Sequence, residues 1–147
     1  YIAERMTETF FQANGREIDC ARIYAGGESE NMLGRVLQAY KNHSIKKGLL
    51  VATKAHPSEP GGLTKIGLQD QITKSLSALQ VDNVDVLYLH QPDTECALTE
   101  TLKGIHDLQE RGLVSLTTAV QPFGCGSACR NWFCTGSDKS LWTQQLL

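Results

Sequence analysis

A chain of 147 residues, with 41% hydrophobic residues, 20% charged residues and a formal net charge of -2, is long enough to bury a core. Its balanced charge excludes the basic footprint of a nucleic-acid or anionic-membrane binder, and no apolar run nears the ~20 residues of a membrane span, so a small or neutral partner in the cytoplasm is expected. Five cysteines, with Cys20 and Cys96 far from each other and from Cys125, Cys129 and Cys134, argue against a secreted disulfide scaffold.

Ile2, Met6, Phe10 and Ala13 recur at helical spacing from the first residues on, so Tyr1 reads as the start of a mid-domain segment. Asn14-Gly15 tolerates the left-handed conformation that stops a helix, and a short strand follows over Glu17 to Cys20. After the Gly26-Gly27 turn, Ser29 is the expected cap of a second helix with an apolar face of Leu33, Val36, Leu37 and Tyr40. Leu49 to Thr53 forms the next strand, and Pro57, Pro60, Gly61 and Gly62 mark a loop. Leu68, Ile72, Leu76 and Leu79 define the clearest helix of the chain. Val84 to Leu89 is a strand ended by Pro92. A further helix carries Leu98, Leu102, Ile105 and Leu108 up to Gly112, and Leu113 to Val120 is the last strand.

Strands alternating with helices predict βαβ units and a parallel sheet. No G-x-G-x-x-G turn follows the first strand, which disfavours an open dinucleotide-binding sheet and favours a barrel. The expected fold is α/β, a partial (β/α)8 barrel of about four strands with their helices over residues 1–120. Residues 121–147, rich in Gly, Cys and Trp and without strand–helix rhythm, read as an irregular tail outside it. Cys125, Cys129 and Cys134 have no following histidine at ligand spacing, so no metal site is expected.

In a parallel barrel, residues at the C-terminal strand ends converge on one rim. Asp19, Lys54 and His90 are polar residues that close three successive apolar strands, at intervals of 35 and 36 residues, and Tyr24 lies in the loop after the first. Taken singly, each has an ordinary explanation as a turn, loop or emergence residue. Taken together, they form a proton-transfer set. A phenol at its usual pKa of ~10 yields its proton poorly, but a neighbouring ammonium stabilises the phenolate, and a carboxylate keeps that lysine charged. An imidazole can donate a hydrogen bond to a carbonyl oxygen. No side chain supplies a hydride, so reduction of a carbonyl requires a nicotinamide. Of the remaining histidines, His43 and His106 have solvent-exposed settings, whereas His56 is a loop residue able to border the pocket.

The stretches Glu17 to Tyr24, Val51 to Lys54 and Asp85 to His90 resemble the three catalytic segments of the aldo-keto reductases, in order and at similar spacing. Gly27 to Gly34, Lys54-Ala55-His56-Pro57 and His90-Gln91-Pro92-Asp93 are most similar to the aflatoxin-aldehyde reductase branch. The resemblance covers residues 1 to 119. It implies NADPH as cofactor, aldehydes, ketones and dicarbonyls as substrates, Tyr24 as proton donor, Lys54 and Asp19 as its modulators, His90 as the substrate-orienting donor, and Asp19 beside the cofactor. Thr117 to Pro122 stands where the family has a Ser-Asn-type segment for the nicotinamide amide, and the chain is about 100 residues short of the ~250 usual for this barrel. An impaired reductase is therefore expected. The alternatives are a non-catalytic product that self-associates through open barrel edges, or a relative of potassium-channel β-subunits, to which no residue pattern specifically points.

Overall fold

The strand–helix rhythm of the sequence is realised in a computed structural model, which describes residues 2–40 and 48–119. The elements are α1 (Ile2–Gln12), β1 (Glu17–Asp19), a 3-10 turn (Tyr24–Gly27), α2 (Glu28–Ala39), β2 (Leu50–Ala55), α3 (Lys65–Leu79), β3 (Val84–Leu89), α4 (Leu98–Glu110) and β4 (Val114–Ala119). All strands are parallel in the order β1-β2-β3-β4, with Asp19 opposite Ala52, Lys54 opposite Tyr88, and Leu89 opposite Ala119.

Period-two alternation gives the sheet two different faces. Val51 and Ala55 of β2 and Leu87 and Leu89 of β3 join Leu33 and Leu37 of α2, Leu68, Ile72 and Leu79 of α3, and Ile105 and Leu108 of α4 in one core. Each large side chain there contributes about 1.5–3 kcal/mol by leaving water. The register sets Ala52, Lys54, Val86 and Tyr88 on the opposite face. Among the described residues β1 and β4 are the outer strands, and no helix is long and apolar enough to cross a membrane.

Several boundaries differ from expectation for local reasons. Helix α2 starts before Ser29: Gly27, at φ 96°, takes the cap position that left-handed backbone reserves for glycine, and Glu28 and Glu30 fill the first turn. Strand β2 runs two residues beyond Thr53, because the Lys54 carbonyl accepts the Arg22 N–H (3.3 Å) and the Ala55 carbonyl accepts the His90 N–H (2.9 Å). Lys54 therefore sits within the strand rather than closing it. In α4 the buried stripe is Thr101, Gly104, Ile105 and Leu108, while Leu98 and Leu102 stay exposed, since Gly104 lets α3 approach at Lys65 and Leu68. In α1 the repeating Ile2, Met6 and Phe10 are exposed, and Phe11 is the buried ring, set edge-on to Tyr40. The α1 stop is as expected, with Asn14 at φ 66°. Val120, the tail 121–147 with its three cysteines, and His43 lie outside the described residues.

Candidate active site

Asp19 ends β1, Lys54 lies one residue before the end of β2, and His90 directly follows β3. Backbone pairing continues past β1 and β3, through the Cys20 N–H to the Ala52 carbonyl (3.0 Å) and the His90 N–H to the Ala55 carbonyl (2.9 Å), which fixes both residues at one rim. Tyr24 opens the 3-10 turn beyond β1. The four side chains singled out from the sequence thus come together, drawn from three successive βα units.

Lys54 is their centre. Its side chain is 10% exposed; its ammonium pairs with Asp19 Oδ2 and donates to the Cys20 carbonyl at 3.0 Å. A buried ammonium without such acceptors would lose its proton or destabilise the fold. The carboxylate is 46% exposed, so breaking the pair should cost less than the ~3–5 kcal/mol of a fully buried one. Lys54 Nζ also lies 5.2 Å from the centroid of the Tyr24 ring and 5.4 Å from that of Tyr88. Ammonium–ring attraction at such distances favours holding both rings against the cation.

His90 presents its ring edge-on to Tyr24 (centroids 5.8 Å apart) and to His56 (4.9 Å). Burial, then the neighbouring His56 and Lys54, lower its pKa, outweighing the opposite pull of Asp19. His90 Nδ1 is buried and has no hydrogen-bond partner among the described residues. A vacant lone pair is less costly there than a vacant N–H, so we assign the neutral tautomer with the proton on Nε2, as a donor. Because the fold disfavours the imidazolium, this stabilising contribution is complete above the ordinary histidine value of about 6.5 and is lost as pH falls from there toward the native value. In an NMR titration the His90 ring should titrate below the ordinary histidine value of about 6.5, and chemical denaturation should show stability declining in the same interval. A His90 value at or above that ordinary one would contradict the assignment.

The loops bearing these groups are held by polar residues, the buried Gln71 and the half-buried Asp93 and His56, that helical periodicity does not announce. Gln71 on α3 receives the His56 N–H (2.8 Å) and donates to the carbonyls of His56 (3.1 Å) and Gly62 (2.9 Å). Asp93 accepts the Leu63 N–H at 2.8 Å, and this bond above all holds its carboxyl below the usual carboxylate range. His56 Nδ1 faces the Ser58 N–H (3.1 Å) and hydroxyl (2.7 Å). His56 thus borders the rim as its loop position suggested. Tyr88 was missed; its place two residues before His90, on the same strand face by period-two alternation, was the available signal. Among the described residues no group of three or more His, Cys, Asp or Glu is arranged to hold a metal ion.

The Aldo/keto reductase family model matches residues 2–118. "Aflatoxin B1 aldehyde reductase member 4" from Homo sapiens is 35% identical over 107 residues, 73% of this chain and 32% of the relative. "Aflatoxin B1 aldehyde reductase member 2" from Mus musculus is 35% identical over 103 residues, 70% of this chain and 28% of the relative. The chain therefore spans about a third of the length of these relatives. Among solved structures, the aldo-keto reductase AKR11C1 from Bacillus halodurans superposes with a TM-score of 0.70 at 22% identity, covering 81% of this chain and 41% of that one. Aldose reductase from Giardia lamblia gives 0.68 at 23%, covering 82% and 45%. The parallel four-stranded unit is thus a part of the (β/α)8 barrel expected from the sequence, and with sequence, family match and fold in agreement, the chain belongs to the aldo/keto reductase family.

Proposed function

We propose that this rim is the proton-transfer side of an NADPH-dependent site for reducing aldehydes and ketones to alcohols. The observation that carries the reading is the convergence of Tyr24, Lys54, Asp19 and His90 on one rim, with the ammonium beneath the Tyr24 ring. In this reading the Nε2–H of His90 donates a hydrogen bond to the carbonyl oxygen and orients it toward Tyr24. As the carbonyl carbon is reduced, its oxygen gains negative charge and takes the Tyr24 phenolic proton. The Lys54 ammonium stabilises the phenolate left behind, and Asp19 keeps that ammonium charged. NADPH, when bound, supplies the hydride that no side chain can. The relatives named for aldehyde reduction support the substrate class.

The donor set fits the reacting end of a nicotinamide, and Asp19, with its half-exposed carboxylate at the rim, is the residue that would reach the cofactor. The phosphate-bearing end finds less. Glu28 in the first turn of α2 and Glu100 in that of α4 place negative charge where it opposes an incoming phosphate. The 147-residue polypeptide alone should therefore bind NADPH weakly or not at all and reduce carbonyls poorly. Strands β1 and β4, the outer ones among the described residues, also favour a second copy as partner, since unpaired strand edges template pairing. Fluorescence titration with NADPH, run beside sedimentation equilibrium, tests both: the expected result is no saturable micromolar binding and a species heavier than the monomer. Micromolar binding by a monomeric chain would overturn this pair of expectations. The reductase reading itself is tested by adding a barrel half from a relative and following NADPH oxidation with an aromatic aldehyde; a folded complex without oxidation would overturn it.

A further inference from the structure

The loop that presents Tyr24 is held in a costly shape by a buried carboxylate with no place in the proton relay. Ala25, Gly26 and Gly27 are three successive left-handed residues, at φ 50°, 63° and 96°. Ala25 has a Cβ and pays a steric cost for that conformation, so the loop would open unless something outside it kept its ends together. Arg22 and Glu30 flank it on either side, and the Arg22 guanidinium pairs with Glu30 Oε2. Gly27 makes this possible, because a Cβ there would lie 1.9 Å from an Arg22 guanidinium nitrogen. The other oxygen, Oε1, accepts the Thr53 hydroxyl at 2.6 Å, and Thr53 is the residue immediately before Lys54. A third tie runs along the backbone, from the Arg22 N–H to the Lys54 carbonyl at 3.3 Å. Glu30 is fully buried, as is Thr53. One carboxylate thus joins the segment two residues before Tyr24 to the residue beside Lys54, on the helix-facing side of the sheet, while the two reactive groups meet on the other face.

We propose that Glu30 is a positioning residue: by clamping Arg22 and Thr53 it sets the Tyr24 ring over the Lys54 ammonium. A buried ion pair is weak evidence for stability alone, since well-packed apolar side chains of the same volume often serve as well or better. What apolar packing cannot supply is directional bonding to two separate chain segments at once. The proposal rests on the reading of Tyr24 as proton donor, but it makes a geometric claim that needs no turnover.

The test is proton NMR of the full chain, reading the cross-relaxation between the Tyr24 ring and the Lys54 side chain, whose ammonium is 5.2 Å from the ring centroid. In Glu30→Gln the contact should weaken severalfold while circular dichroism keeps the wild-type helix signal. Because that variant strands the Arg22 cation, the charge-free pair Arg22→Met with Glu30→Gln is measured beside it and should show the same loss. Thr53→Val, which cuts one arm only, should weaken the contact less. An unchanged contact in either folded Glu30 variant overturns the proposal, and so does unfolding of both, which would give Glu30 a purely structural role. In an active complemented barrel, Glu30→Gln should lower kcat about 10²-fold with KM nearly unchanged, as a misplacement of about 1 Å would. A kcat loss that follows only the unfolded fraction is the opposing result. Failure of the ring contact to respond removes Glu30 alone, whereas full activity without the Tyr24 hydroxyl removes the reading beneath it.

Discussion

Replacing Tyr24 by phenylalanine, in a barrel completed so that it reduces carbonyls, is expected to lower kcat by about 10²–10⁴-fold while leaving NADPH affinity nearly intact. The size follows from what is deleted. The phenyl ring keeps its contacts with the Lys54 ammonium and the His90 ring, so the rim retains its shape. Only the hydroxyl goes, and with it the one acidic proton that reaches the carbonyl oxygen in the proposed mechanism. Neither Lys54, committed to Asp19 and the Cys20 carbonyl, nor neutral His90 is set to replace it at neutral pH. Steady-state kinetics with an aromatic aldehyde, beside a cofactor titration of the same variant, make the check. Turnover equal to wild type would remove Tyr24 from the role of donor.

The largest effect expected on stability is at Gly34, where α2 crosses the end of α3. A Cβ built on Gly34 would stand 2.1 Å from the Ala78 carbonyl oxygen and 2.9 Å from the Leu79 carbonyl carbon. Both are backbone atoms, so no side chain can swing aside. Gly34→Ala gains about 0.5–1 kcal/mol of helix preference, but overpacking of this kind costs about 1–3 kcal/mol and here reaches the upper end or beyond. The clash wins, and the helices must separate. Thermal unfolding should show a melting temperature lower by roughly 5–10 °C. An unchanged or higher value would mean that α2 and α3 are not in contact at this point.

The sequence exposed most of what depends on periodicity and on strand ends. The Leu68–Leu79 stripe announced α3, the compact apolar run Leu49–Thr53 announced β2, the β-branched and aromatic residues of Val84–Leu89 announced β3, and the spacing of Asp19, Lys54 and His90 announced the rim, because residues one βα unit apart must return to the same end of a parallel sheet. What stayed hidden depends on partners distant in the chain. Glu30 read as one more acidic residue in a helix start, since its partners Arg22 and Thr53 lie 8 and 23 residues away on other elements. Gln71 was a polar residue beside the apolar Ile72, and only the proximity of the His56 loop makes it a clamp. Ser29 was a plausible cap until Gly27 took a conformation that only the loop geometry demands. Leu98 and Leu102 kept helical spacing but lost burial, because the line of closest approach to α3 runs along Thr101 and Gly104 instead.

Among the described residues, every pair of neighbours in the sheet is also a pair of neighbours along the chain. Contacts between successive units close short loops, which costs little chain entropy and favours rapid formation. Assembly can therefore proceed in the direction of translation, each strand docking on the one before it. Asp19, Tyr24, Lys54 and His90 all precede α4, so their rim is within reach once β3 has docked on β2. A nascent chain on the ribosome would acquire the geometry of its chemistry early, by local steps, while later residues are still being added.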